Sequence, residues 1–345
     1  MEEGKLPIDL LDKLIATDIK GIQGVIQGPQ VGCDVAVIDY IQAIKRAQQF
    51  YNSKEKVYVV FKTDPITFPT HNPGRYSVVV NANDVVTSGA IPYGFNATII
   101  LPLNSSSDQV FQIQKDIHEF CSKMNVAVLG GHTEISSSVN NPIVSGAMLG
   151  FVPKDYYVPR EITEGDVMLC VGWCMKEGAG IIASEGCEKL VKKMSESTLE
   201  KLIKLGSEIS IVDSALDINK NYQPGLMHDA TEGGILGAVY ETIAPEGFGL
   251  ELESKKFPFT KETLELCEIL GVNPFRVISS GTLLVVTTEE KASELIKSST
   301  EIIPIVKIGK ITAKEKNITL DGEKIQPPGP DSIIDALKKL EEGDF

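Results

Sequence analysis

At 345 residues the chain has room for two domains of ordinary size, each able to bury a core. Hydrophobic residues make up 42% and charged residues 23%, a globular composition, and 47 Asp plus Glu against 33 Lys plus Arg leave a net charge of −14. That balance, with no basic run to neutralise phosphates, excludes nucleic acid as the main partner. With the acidic start "MEEGKLPIDL" and no long apolar window, neither a secretory leader nor a membrane span is expected.

Taken in chain order, "VYVVF" (57–61) and "FNATIIL" (95–101) are β-branched and aromatic runs bounded by turn residues and read as strands. From Ser107 to Met124, Val110, Ile113, Ile117, Phe120 and Met124 recur at helical spacing, with Ser107 or Asp108 as the cap. "VAVL" (126–129) reads as a strand running into a double glycine, and "IVSGAMLGFV" as another. Prolines, charges and tyrosines in "VPKDYYVPREITEG" (152–165) place the domain boundary there. Beyond it "DVMLCVGW" is a strand and 181–214 holds two or three helices. A helix then follows "HDATEGG", and strands at "GFGLELE" and "GTLLVVTT" alternate with helices over "TKETLELCEIL" and "EEKASELIKSS". A closing pair of strands precedes "LEEGDF", which reads as a frayed end. The alternation gives an α+β or α/β class.

Six cysteines lack Cys-x-x-Cys spacing, so neither a disulfide framework nor a zinc site reads out; Cys170 and Cys174 read as core thiols. Four histidines, His71, His118, His132 and His228, are too few for a His-rich metal site. A cytoplasmic protein is expected.

Four segments place acidic or amide side chains beside bends: "GPQVGCDVAVID" (28–39), "FKTDPIT" (61–67), "NANDVVTSGAIP" (81–92) and "GGHTE" (130–134). Glycine lets a backbone approach a ligand, and Asp oxygens suit Mg²⁺, so the set suggests a nucleotide–Mg²⁺ site; ordinary turns have the same composition. Asp84 poses the sharpest question, since a carboxylate within a valine run needs a cation, a helix start or plain exposure.

These segments, in this order, resemble the ATP-binding superfamily that includes aminoimidazole ribonucleotide synthetase, selenophosphate synthetase, thiamine monophosphate kinase and the hydrogenase maturation factor HypE. The pattern and domain length are most similar to HypE. "HDATEGGILGAVYE" (228–241) and "ISSGTLLVV" (278–286) extend the resemblance over nearly the whole chain. It implies a two-domain PurM-like α+β architecture, mixed sheets flanked by helices in each domain. Residues 1–155 would be the ATP/Mg-binding domain and 160–335 the C-terminal domain. It implies that Asp34, Asp64 and Asp84 bind Mg²⁺ and through it ATP. Gly32, Lys62 and Asn83 belong to the same nucleotide-binding set, with Gly130, Gly131, His132, Thr133 and Glu134 in the nucleotide loop. It also implies that 75–88 is helical against its local strand preference, with Gly89 as the stop, and that Asp84 is buried against a dication. His132 contacts phosphate or is satisfied locally. Asp229, Thr231, Gly233 and Gly234 form an anion-binding helix start, or Asp229 or Thr231 is a plain N-cap. A homodimer with nucleotide sites near the subunit interface is implied as well.

Three departures qualify this. Cys33 stands where the family usually has a first acid, and a thiol suits Mg²⁺ poorly. Gly-Gly-His-Thr replaces the usual Gly-Gly-Asp-Thr, with Glu134 as the nearest acid. HypE ends in a Pro-Arg-x-Cys tail whose thiol carries a carbamoyl group, whereas this chain reads "LEEGDF" and its last cysteine is Cys267. The expectation is therefore an ATP-dependent enzyme activating an oxygen of a small or protein-borne substrate, distinct from the HypE reaction itself. The alternatives are a non-catalytic nucleotide-binding partner in metalloenzyme maturation and a kinase of the thiamine monophosphate type.

Overall fold

A computed structural model describes residues 3–15, 24–67, 70, 72–315, 317–343 and 345, and shows a mixed α+β chain in two units, Met1–Tyr157 and Val158–Phe345. The first unit runs β1 (Gly4–Lys5), α1 (Ile8–Ile15), a small hairpin of β2 (Val25–Gln27) and β3 (Val37–Ile38), α2 (Tyr40–Tyr51) and β4 (Val57–Ile66). It continues through α3 (Pro73–Thr87), β5 (Ile91–Leu101), α4 (Ser107–Lys123), β6 (Ala127–Ile135) and β7 (Ile143–Pro153). Its sheet has the order β1-β6-β5-β7-β4, with β5 and β6 parallel and the other pairs antiparallel.

Three expectations shift here. The strand at 57–61 runs on to Ile66, so Lys62 and Asp64 are strand residues. The strand at 126–129 runs through both glycines to Ile135, which puts Gly130 and Gly131 inside β6 and not in a loop. The cap of α4 is Ser106, whose hydroxyl accepts from the Gln109 N–H at 3.1 Å, one residue before the expected pair.

α3 is a helix despite its valines. Pro73 sits at its start, where the missing N–H costs nothing, and Gly89, at φ 82°, ends it by donating its N–H to the Val86 carbonyl. Val78, Val79, Val80, Val85 and Val86 are all buried. Burying one valine is worth about 1.5–3 kcal/mol, whereas its helix-propensity penalty is at most ~0.7 kcal/mol, so packing decides. Gly74 permits the close approach to α4: a Cβ there would lie 2.3 Å from the Ile113 carbonyl oxygen.

The second unit contains β8 (Val167–Val171), α5 (Lys176–Glu185), α6 (Cys187–Leu190), α7 (Glu196–Gly206), α8 (Val212–Tyr222), β9 (Leu226–Ala230) and α9 (Gly234–Ile243). β10 (Phe248–Leu252), α10 (Lys261–Leu270), β11 (Thr282–Thr287), α11 (Glu289–Ile296), β12 (Ile305–Lys314), β13 (Ile318–Leu320), β14 (Glu323–Lys324) and α12 (Ile333–Glu342) follow. The sheet order is β14-β13-β10-β12-β8-β11-β9. β8, near its centre, is buried throughout, and Cys170 and Cys174 lie in the core with their sulfurs 3.6 Å apart.

The helical stretch after β8 begins at Lys176, earlier than expected, and the closing pair of strands is three. "LEEGDF" is not simply a frayed end: Leu340, Glu341 and Glu342 belong to α12, and Leu340 is buried. Lys189 Nζ donates to the Leu340 and Glu341 carbonyls, and Lys339 Nζ donates to those of Leu270 and Gly271 at the end of α10. Each ammonium thus satisfies helix-terminal carbonyls and complements the negative end of a helix dipole.

Candidate functional site

Alternation along β4 turns Lys62 and Asp64 to the same face, where α3 presents Asp84. Lys62 Nζ lies 3.0 Å from Asp64 Oδ2 and 3.1 Å from Asp84 Oδ2, so one ammonium joins two carboxylates. Burial raises the Asp84 carboxyl above its ordinary value; Lys62 opposes that and Asp64 adds to it. Burial also works against the Lys62 ammonium, but Asp84 and then Asp64 outweigh it and hold Lys62 above its usual range. Asp84 is therefore paired within the chain. Its Oδ2, although at ion-pair distance from Lys62, is buried and carries no hydrogen bond of adequate direction.

Asn81 fixes this arrangement, a role that the sequence analysis did not assign to it. β4 is an edge strand, and the Asn81 amide takes the place of a neighbouring strand: the Asp64 N–H donates to Asn81 Oδ1 at 2.9 Å, and Nδ2 donates to the Asp64 carbonyl at 3.2 Å. Nδ2 also donates to the Ser77 carbonyl at 2.8 Å. Gly146 makes room, since a Cβ there would lie 2.5 Å from Asn81 Nδ2. The available signal was an amide three positions before Asp84 in an apolar helix, which burial obliges to bond. Asn83 is likewise fully buried in α3.

Asp34 does not join the other two acids in a metal-binding group. Gly32, Cys33 and Asp34 are exposed between β2 and β3, and among the described residues no three His, Cys, Asp or Glu side chains gather as a metal would need. The expected three-Asp set is reduced to a pair. Asp64 and Asp84 still suit a hard cation, because Mg²⁺ is usually held by one or two carboxylates with water and phosphate completing the shell, and the buried Asp84 Oδ2 lacks a directed donor.

Gly131 belongs in β6 for a steric reason: a Cβ would lie 2.1 Å from the Ala97 carbonyl oxygen. His132 Nε2 is 3.1 Å from Glu134 Oε2, so of its two readings the structure displays local satisfaction, and Glu134 serves the imidazole. Thr133 is buried. Pairing runs from Gly131 through Ala97 and Gly146 to Asp64, three strand spacings or about 14 Å. The sheet therefore holds this segment apart from the carboxylate pair.

In the second unit Asp229 is buried at the end of β9, and the Thr231 carbonyl accepts from the Gly234 and Ser279 N–H groups. Gly233 occupies the N-cap position of α9, so neither Asp229 nor Thr231 stands there. The anion at this helix start comes from far along the chain: Asp331 accepts from Gly233 N–H at 2.7 Å, Ile333 N–H at 2.8 Å and Ile278 N–H at 3.1 Å. Burial raises the Asp331 carboxyl, and these three donors oppose the shift. Gly234 has φ 67°, and a Cβ there would lie 2.5 Å from the Phe275 carbonyl oxygen.

Two domain families account for this arrangement. Residues 19–152 match the AIR synthase related protein N-terminal domain and residues 178–321 its C-terminal domain. The chain belongs to the AIR synthase-related family. Carbamoyl dehydratase HypE of Escherichia coli is 26% identical over 298 residues, covering 84% of this chain and 83% of that protein. The crystal structure of E. coli HypE superposes with a TM-score of 0.76 at 20% identity, covering 95% and 98% of the two chains. A HypE structure in complex with ATP gives a TM-score of 0.59 at 15% identity, with coverage of 82% and 93%. A thiamine-monophosphate kinase from Stenotrophomonas maltophilia gives 0.70 at 16% identity, covering 94% and 100%.

Within the AIR synthase-related family the chain is HypE-like, and its cysteines sort accordingly. Cys267 lies buried on α10 with its thiol 3.4 Å from Met175 Sδ, and burial pushes it up to about 12, so it is no reactive carrier. Cys33 is exposed in the segment before Asp34.

Proposed function

We propose that this HypE-like chain binds Mg²⁺-ATP at Lys62, Asp64 and Asp84 and directs the γ-phosphate to an oxygen of a small or protein-borne substrate. The observation that carries the reading is one lysine held between two carboxylates, one of them buried, at the edge of the first sheet. Asp64 and Asp84 supply hard oxygens, and Asn81 fixes Asp64 in place. When bound, Mg²⁺ neutralises phosphate charge and orients the transferring group. Lys62, held between the two carboxylates, would offer its ammonium to a phosphate oxygen with the cation in place. Catalysis of this kind rests on positioning and charge neutralisation and needs no protein nucleophile.

We further propose a homodimer. The face of β4 turned away from α3 exposes Val59 (63%) and Phe61 (67%), which an isolated protomer leaves in water. Pairing of two such sheets would bring the β1–β6 side of one protomer to the β4 edge of the other, so that the separated halves of the nucleotide site meet between subunits.

Equilibrium dialysis with ATP and Mg²⁺, followed by an ADP assay after overnight incubation, tests the reading. Bound nucleotide with ADP formation supports an enzyme. Bound nucleotide without ADP favours the non-catalytic partner, to which the isolated Asp34 also points. No binding overturns both.

A further inference from the structure

Two cysteines with no part in the nucleotide site meet in the core of the second unit. Cys170 is the next-to-last residue of β8, and Cys174 lies in the turn that leads into α5. Gly172, at φ 86°, bends the chain between them. Both side chains are fully buried, and their sulfurs lie 3.6 Å apart. The turn is tied down by its backbone: Gly172 N–H donates to the Pro304 carbonyl and Cys174 N–H to that of Pro258, each at 2.8 Å. Met175 follows in the left-handed region at φ 63°, strained for a residue with a side chain, and its N–H donates to the Ser279 hydroxyl at 2.6 Å.

A disulfide bond is about 2.05 Å long, so a closing movement of about 1.5 Å would join the two sulfurs. Burial decides when that can happen. The thiolate is the reactive form, and burial holds the Cys174 thiol well above its ordinary value, with Cys170 adding to the shift. The pair is therefore inert while the turn is closed, whereas Cys33 and Cys187 are exposed to oxidants at all times. Once the turn opens to water, whichever thiol is oxidised first already has its partner at contact distance, and that proximity outcompetes a thiol arriving from solution.

We propose that Cys170 and Cys174 are an oxidation site, a dithiol that hydrogen peroxide closes to an intramolecular disulfide when the β8–α5 turn opens. One thiolate attacks the peroxide O–O bond, giving a sulfenic acid and one water. The partner thiol then displaces the sulfenic oxygen as a second water and forms the S–S bond, so two thiols and one peroxide yield one disulfide and two waters. The closing movement draws Cys174 towards β8 and pulls Met175 N–H from the Ser279 hydroxyl. Ser279 also bonds Thr282 through its hydroxyl at 3.0 Å and the Thr231 carbonyl through its N–H at 3.3 Å, so oxidation is felt at the start of α5 and in the turn before β11.

The test uses the full chain carrying Cys33→Ser and Cys187→Ser, both exposed positions, so that only buried thiols remain; circular dichroism checks its fold. It is treated with hydrogen peroxide in buffer and in urea short of the unfolding transition, then denatured, alkylated and digested with trypsin. Both cysteines fall in the single tryptic peptide 161–176. The proposal expects that peptide to lose two hydrogens, to regain them with dithiothreitol, and to do so at least fivefold faster in urea. With Cys174→Ser added, Cys170 should take up oxygen and form no bond. Amide exchange over 175–178 should be at least fivefold faster in the oxidised protein than in the reduced one. A peptide that stays a dithiol throughout, or that gains oxygen on its cysteines with no bond between them, would overturn the oxidation site. A rate indifferent to urea would overturn the opening step, and equal exchange in the two forms would overturn the coupling to α5.

Discussion

The Asp84 side chain is 19% exposed, and what offsets its loss of water is Lys62 Nζ at 3.1 Å. The partner is thus a side chain two residues before Asp64, where the resemblance alone suggested a dication. Replacing Lys62 by Met leaves two carboxylates facing each other with no cation. The metal-free variant should lose about 1–3 kcal/mol and regain more of it on adding Mg²⁺ than the wild type does, as thermal melts with and without the ion would reveal. An equal Mg²⁺ response in both proteins would separate the carboxylates from the metal. His118 carries a pH prediction of definite sign. Burial lowers its folded pKa below the unfolded ~6.5, so the unfolded chain binds the proton more readily, and stability present above that value is lost as pH falls through the lowered one. Urea melts between pH 7 and pH 5 should show the wild type losing stability on acidification more steeply than His118→Gln. Lys62, Asp64 and Asp84 were legible because charged residues in apolar runs are conspicuous. Asn81 and Asp331 were not: their importance lies in backbone groups they satisfy, 17 positions away for Asp64 and 98 for Gly233.

Elements read well wherever one face meets solvent. α4 buries Val110, Ile113, Asp116, Ile117 and Cys121 along one stripe and leaves its opposite side to solvent, so its period was plain in the sequence. α3 buries residues on nearly every side, which erases the period, and only the family resemblance indicated a helix. Its inner face is the more demanding one: Asn81→Leu keeps volume but strips three hydrogen bonds and should cost about 3 kcal/mol in chemical denaturation, with weakened Mg²⁺-ATP binding because Asp64 loses its brace. Binding at wild-type strength in a folded Asn81→Leu would deny it that role. α12 was missed because the acids of "LEEGDF" hid a buried leucine. Leu340→Ala should destabilise the second unit by about 2–4 kcal/mol, whereas a loose tail would tolerate it.

On the scale of the whole molecule, each unit has its own sheet and helices, and the α+β class with two such units follows the alternation seen in the sequence. What the sequence hid at this scale is the distance between motifs. Gly131 and Asp64 read as parts of one site, yet three strand spacings lie between them, because strand order in the sheet does not follow chain order. That separation, with Val59 and Phe61 exposed, underlies the homodimer proposal. Sedimentation at micromolar concentration should show a dimer, and Phe61→Glu should shift it to monomer; a wild type that sediments only as a monomer would contradict the proposal. Whether Asp84 and its partners bind nucleotide through a metal is tested by calorimetric titration of wild type and Asp84→Asn with ATP, with and without Mg²⁺. Binding should depend on Mg²⁺ and weaken at least tenfold in a folded Asp84→Asn, about 1.4 kcal/mol. Equal affinity in the two proteins, or binding indifferent to Mg²⁺, would contradict it.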